Sequence, residues 1–145
     1  MPQAPYILTF DSIGSLSEGF LTTTQQAQQL PFAVKRVFWM HGTPAAVVRG
    51  RHANVETQEV LVALTGSINV KTETAESSAV FELKHPDQGL YIPAMCWTEL
   101  TFSPGAIALC LASTDFSEAD YIRDHALFKK LAVPAAALKT EQSRK

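Results

Sequence analysis

One short stretch carries most of the side chains able to do chemistry: Arg49-Gly50-Arg51-His52-Ala53-Asn54, followed by Glu59 and Gly66. As spacing it reads His-x-Asn-x4-Glu-x6-Gly. His52 suits acid–base work, because imidazole titrates near neutral pH and can both take and return a proton. Asn54 exchanges no proton in that range. Its amide suits a hydroxyl or carbonyl of a bound ligand, with a packing or turn role as the alternative. Glu59 could orient His52 or pair with an arginine, or be an ordinary polar strand position. As a metal set, one imidazole, one carboxylate and a weak amide fall short of a dedicated Zn or Fe site. The sequence therefore predicts no metal and no other cofactor. Cys96 and Cys110 lie in apolar surroundings without metal or redox spacing and read as buried small apolar residues. His41, His85 and His125 fall beside turns or on a predicted helix, where solvation or capping is the ordinary role.

Positioning these groups falls to a chain of short β-like runs. Gln58 to Leu64 alternates, with Val60, Val62 and Leu64 on one face and Leu61 and Ala63 on the other, and Ile68 to Thr72 returns after a turn at Gly66-Ser67. Further strands are predicted at Tyr6 to Phe10, Ala33 to Met40, Ala79 to Leu83, Leu90 to Ile92, Trp97 to Phe102 and Ile107 to Ala112. Gly42-Thr43-Pro44, Pro86-Asp87 and Pro104-Gly105 punctuate them. Many short strands with Gly/Pro turns indicate an all-β sandwich or barrel. On a strand, His52 and Asn54, two apart, would face the same side, the interior. One helix is predicted from about Ser117, with capping-box spacing to Asp120, Tyr121, His125 and Phe128 along one face, and Lys129-Lys130 in the last turn. Leu21 to Gln29 reads as a loop or weak helix. A single domain is expected over 1–132, with a small, polar, flexible tail at 133–145.

Composition bounds the function. The 145 residues carry 12 Lys+Arg and 14 Asp+Glu, a net charge of −2, with 46% hydrophobic residues. That excludes a disordered chain and provides no basic face for nucleic acid. No apolar run approaches a membrane span, and Met1-Pro2-Gln3-Ala4-Pro5 lacks the parts of a signal peptide. A cytoplasmic protein, with no nucleic acid or membrane partner, is the expectation.

The His52 spacing resembles the first motif of the cupin superfamily, with Asn54 at the second histidine. A narrower resemblance spans most of the chain. Pro31-Phe32 through Trp39 is similar to the "PF-x-IKRVYYI" strand of the sugar 3,4-ketoisomerases (WxcM-like C-terminal domains). Arg49 to Asn54 is similar to their "RG-x-HAH", and Glu59 to Ser67 to "QVLVCLNGS". Gly89-Leu90-Tyr91-Ile92, Pro93-Ala94 and Trp97 match "GLY(I/V)-x-PA-x-W". Leu111-Ala112-Ser113 and Asp120-Tyr121-Ile122-Arg123 match "LAS…DYIR". The departures are Asn54 for the second His, Phe38-Trp39 for the paired tyrosines, and Ile13 for an arginine near the N-terminus.

The resemblance implies a double-stranded antiparallel β jelly roll with a C-terminal helix outside it. It also implies a homodimer formed through sheet edges, for which the isolated apolar run Tyr6 to Phe10 adds motivation. It further implies an isomerase that moves a keto group between C4 and C3 of a dTDP-linked 6-deoxyhexose, without a metal, for deoxyaminosugar synthesis. In that reading His52 transfers the proton and Arg36 and Arg49 could neutralise the diphosphate, with surface solvation as the alternative for each arginine. Arg51 is a solvated surface residue, while Trp39, Tyr91 and Trp97 stack on thymine or line the sugar pocket. Core packing is the competing role for each of the three aromatics. The missing second imidazole and phenol support a second reading, a non-catalytic cupin that binds a sugar nucleotide. A third is a barrel whose task is assembly with an enzyme partner.

Overall fold

A computed structural model describes residues 3–26 and 28–134; most of the expected tail at 133–145 lies outside them. The strands are β1 (Tyr6–Thr9), β2 (Asp11–Ser15), β3 (Gly19–Thr23), β4 (Arg36–Met40), β5 (Arg49–Asn54) and β6 (Glu59–Thr65). They continue with β7 (Ile68–Glu73), β8 (Ser78–Leu83), β9 (Gln88–Ile92), β10 (Trp97–Phe102), β11 (Ile107–Ala112) and β12 (Tyr121–Ile122), and the chain closes on helix α1 (His125–Leu131). Two five-stranded sheets, β1-β9-β6-β11-β4 and β12-β5-β10-β7-β8, face each other, and β2-β3 forms a separate hairpin. Every ladder is antiparallel. This is the jelly roll that the strand pattern and the resemblance both predict.

Alternation decides which residues enter the core. From β6, Leu61 and Ala63 point between the sheets to join Val70, Leu90, Leu100 and Cys110. Val60 and Val62 point the other way, and they too are buried, beneath Phe10, Leu30 and Phe32. Both faces of β6 are thus covered, which explains its unbroken apolar run. The β6–β7 turn needs Gly66: its φ is +69°, and a Cβ there would stand 2.6 Å from Ser103 Oγ.

The structure departs from the sequence expectations in three places. The helix begins not at Ser117 but after Asp124, whose carboxylate accepts from the N–H groups of Ala126 and Leu127. Between them, Glu118–Asp120 forms a single 3-10 turn, and Ser117 makes no side-chain cap. Tyr121 and Ile122 are instead held extended by pairing with Asn54 and Ala53. Asp120 is drawn away from any capping box because Asn54, Thr57 and the backbone of Glu56 all donate to its carboxylate. The second difference is the β2–β3 hairpin, which takes up part of the stretch read as a loop. Ile13, Phe20 and Leu21 on it are exposed, so it shows no buried face for a sequence pattern to reveal. Third, β1 has a partner within its own chain, pairing with β9 so that Tyr6 stands opposite Tyr91.

Candidate active site between the sheets

A cavity of about 320 Å³ opens between the two sheets. One wall comes from β5 and β10 through Arg49, Gly50, His52, Thr98 and Leu100. The other comes from β4, β6, β9 and β11 through Phe38, Met40, Glu59, Leu61, Ile92 and Cys110, and Tyr121 and Arg123 close it at one side.

A bulge arranges the first wall. Thr98 pairs with His52 but Glu99 pairs with Gly50, so Arg51 is an extra residue without an opposite. Gly50 and Arg51 both take positive φ, +84° and +53°, as such a bulge requires. A Cβ on Gly50 would stand 2.8 Å from the carbonyl oxygen of Thr98, so the site favours glycine. One inserted residue reverses the alternation, and Arg49, an odd number of positions from His52, comes to line the same cavity.

His52 is the best-placed acid–base group. Its ring meets that of Tyr121 edge-on, 4.9 Å between centroids and 69° between planes. Its Nδ1 is buried and has no hydrogen-bond partner among the described residues. Across the cavity, Glu59 accepts a hydrogen bond from Cys110 Sγ at 2.8 Å. Burial, reinforced by the Glu59 carboxylate, pushes the Cys110 thiol well above its usual pKa, so it is a neutral donor. Cys96 is likewise pushed up, to about 12, chiefly by burial. Neither thiol is a nucleophile at neutral pH. No group of three or more His, Cys, Asp or Glu among the described residues could hold a metal.

Residues 4–133 match the family described as WxcM-like, C-terminal. The chain belongs to that family. Its relatives include the TDP-4-oxo-6-deoxy-alpha-D-glucose-3,4-oxoisomerase of Aneurinibacillus thermoaerophilus, 35% identical over 115 residues, which cover 79% of this chain and 83% of that one. Among solved structures, a sugar 3,4-ketoisomerase of Thermoanaerobacterium thermosaccharolyticum in complex with TDP superposes with a TM-score of 0.84. The match is 29% identical and covers 91% of this chain and 96% of that one. The TDP-fucose-3,4-ketoisomerase of Campylobacter jejuni gives 0.83 at 30% identity, covering 90% and 96%.

Within this WxcM-like scaffold the residues singled out in the sequence separate into two groups. His52, Glu59, Arg49 and Trp39 border the cavity, Trp39 at the rim with 61% of its surface exposed. Arg36 lies just behind, its guanidinium 5.2 Å from the Phe38 ring centroid and 5.5 Å from that of Phe116, its Nε buried without a hydrogen-bond partner. Asn54, Tyr91 and Trp97 do not line the cavity. Asn54 is buried and its Nδ2 donates to Asp120 Oδ2 at 3.1 Å, tying the 3-10 turn and β12 to β5. Burial raises the pKa of Asp120, but the hydrogen bonds from Thr57, Asn54 and the Glu56 and Thr57 backbone outweigh it and hold the carboxyl below its usual range. Tyr91 points away from its neighbours Leu90 and Ile92, packs with Phe10 and Phe32, and donates to Gln58 Oε1 at 2.6 Å. Burial raises the pKa of its phenol. Trp97 points away from Thr98 and packs under α1 with Ala53, Ile122 and Phe128. Period-two alternation accounts for both aromatics, since Tyr91 and Trp97 each sit one residue from a position that faces inward.

Tyr121, Arg123 and Thr98 are polar cavity residues to which the sequence assigned no site role. Tyr121 fits an i, i+4, i+7 pattern with His125 and Phe128, and that coincidence assigned it to a helix face. The opposing signal was Asp124 three residues on, a better N-cap than Ser117 because it immediately precedes His125 and the Leu127-Phe128 pair.

Proposed function

We propose that this chain is an isomerase that moves the carbonyl of a TDP-linked 4-keto-6-deoxyhexose from C4 to C3. The observation that carries the reading is the His52 ring in the wall of the cavity between the sheets. The C3 proton is acidic because it lies next to the C4 carbonyl. Removal by imidazole places the electron pair in a C3=C4 double bond while the carbonyl pair moves onto O4, which takes up a proton to give the enediol. Collapse in the other sense forms the C3 carbonyl and returns a proton to C4 from the same imidazole. No redox cofactor or metal enters this balance. One histidine on one face of the sugar suffices, so Asn54 can be committed to Asp120 without loss of the carbon chemistry.

The cavity volume suits a hexosyl group. Arg49 at its edge provides a bidentate donor for the diphosphate, and the exposed indole of Trp39 a surface for thymine. Arg36 supports the site from behind Phe38. The working form we infer is a cytoplasmic homodimer of a single domain spanning 1–132, supported by the exposed apolar side chains Ile13, Leu16, Phe20 and Leu21 on and around the β2–β3 hairpin. No helix among the described residues is long and apolar enough to cross a membrane.

Incubation with TDP-4-keto-6-deoxyglucose, with the carbonyl followed by carbon NMR, tests the reading. A new C3 carbonyl signal is the expected result. Saturable binding of the sugar nucleotide with no product identifies the chain as a binding module instead.

A further inference from the structure

The isomerase cycle has two kinds of proton to handle. One moves between carbons, from C3 to C4. The other moves between oxygens: O4 must gain a proton as the enediol forms, and O3 must lose one as the new carbonyl forms. His52 cannot serve both oxygens while it holds the carbon proton, so a second group is needed in the same cavity.

We propose that the Tyr121 phenol is this second group, giving its proton to O4 as His52 takes the C3 proton and recovering one from O3 as His52 returns its proton to C4. The inference rests on the isomerase reading above. Each half of the step balances. In the first, O4 gains the phenol proton and the C3–H pair becomes the C3=C4 bond. In the second, the O3–H pair becomes the C3 carbonyl, C4 gains the imidazolium proton, and both side chains end as they began.

The remaining polar groups of the cavity fit this task less well. Arginine does not deprotonate in proteins, which removes Arg49 and Arg123. The Cys110 thiol is held neutral by burial and donates to one oxygen of Glu59, Oε2, so Glu59 is the rival that the Glu59→Gln variant tests. The hydroxyl of Thr98 is too weak an acid to cycle. Tyr121 lines the same cavity, and its phenol can both give and take a proton.

Its placement is fixed on every side. Tyr121 stands opposite Asn54 in the β5–β12 ladder, so it shares a face of the sheet with His52 two residues away. The preceding residue, Asp120, is anchored by Asn54, Glu56 and Thr57. Phe116 packs at 5.9 Å between ring centroids, and the Arg123 guanidinium lies 4.8 Å from the ring centroid. Glu118 holds that guanidinium with bonds of 2.8 and 3.1 Å.

Tyr121→Phe keeps the ring and removes the hydroxyl. The expected result is a fall in kcat of about 10²-fold or more, with KM for TDP-4-keto-6-deoxyglucose held within about threefold and the alkaline limb of the kcat–pH profile lost. Replacing Tyr121 by 3,5-difluorotyrosine, which keeps a more acidic phenol, is expected to move that limb to lower pH. A kcat for Tyr121→Phe within about threefold of wild type overturns the proposal, as does an alkaline limb unmoved by fluorination. So does finding that Glu59→Gln rather than Tyr121→Phe takes the loss. Those results leave the isomerase reading standing, whereas a wild-type protein that forms no product removes that reading and this inference together.

Discussion

His52 and His125 meet opposite faces of one five-stranded sheet, and their immediate surroundings look alike. Each imidazole stands edge-on to an aromatic ring, 4.9 Å between centroids and 69° between planes, Tyr121 in one case and Trp97 in the other. The difference lies in the ring nitrogens. His125 Nε2 is 2.6 Å from Glu73 Oε2 with 48% of its side chain exposed, and Lys129 completes a charged cluster on the same carboxylate. His52 has a buried Nδ1 with no partner and faces a cavity. One histidine has its polar demand met by a neighbour that holds α1 to the sheet. The other lies in the cavity wall with no such neighbour. Ring packing is the same at the two histidines, and hydrogen-bond accounting separates them.

The largest effect that separates the two faces is expected from His52→Asn. Product formation should fall by about 10³-fold or more, while TDP-sugar binding by calorimetry stays within about tenfold. His125→Asn should leave turnover unchanged, and a shared loss would erase the contrast. Next comes Trp97→Ala on the α1 side. It should lower stability to denaturant by about 3–5 kcal/mol and leave the ligand Kd of the folded protein within about twofold.

Asp120 joins the two regions, since its carboxylate fixes the approach to both Tyr121 and α1. Asp120→Ala is expected to cost about 2–3 kcal/mol, because it strands buried donors that now bond a charged acceptor. The carboxyl is held below its usual range. Its contribution is therefore fully present above the ordinary Asp pKa near 3.9 and disappears as pH falls through the lower folded value. Acid unfolding of the alanine variant should show a weaker pH dependence in that window than wild type.

The smallest effect belongs to Glu73→Gln, at most about 1 kcal/mol for a surface cluster, with unchanged kcat. Hydrogen bonds from Lys129, and then from His125, lower the Glu73 pKa. Its contribution holds above the ordinary Glu pKa and is lost as pH falls through the lowered one. High salt should reduce it further.

Much of the sandwich was legible because its strands alternate cleanly. Trp97–Phe102 and Ile107–Ala112 end where the apolar pattern ends. His52 could be read from its motif, and Gly66 from the turn it must make. What could not be read was side-chain parity. The Gly50–Arg51 bulge turns Arg49 toward the cavity, and strand periodicity carries no mark of an inserted residue. Tyr91 and Trp97 are aromatics of the right kind on the wrong face, and only the register with β6 and β7 settles that. Tyr121 was hidden because two extended residues before a helix happen to continue its period. The exposed β2–β3 hairpin left no burial pattern at all.

The central claim is that the cavity moves a carbon-bound proton through His52. Its most direct measurement is proton NMR of TDP-4-keto-6-deoxyglucose turned over in D2O by the wild-type protein and by His52→Asn. The account predicts that wild type forms the 3-keto product, with deuterium entering C3 of recovered substrate and C4 of product only as far as the imidazolium proton exchanges with solvent before its return, and that the variant gives neither product nor exchange. Tight binding by the wild type with neither product nor exchange at either carbon, or undiminished product formation by His52→Asn, would contradict it.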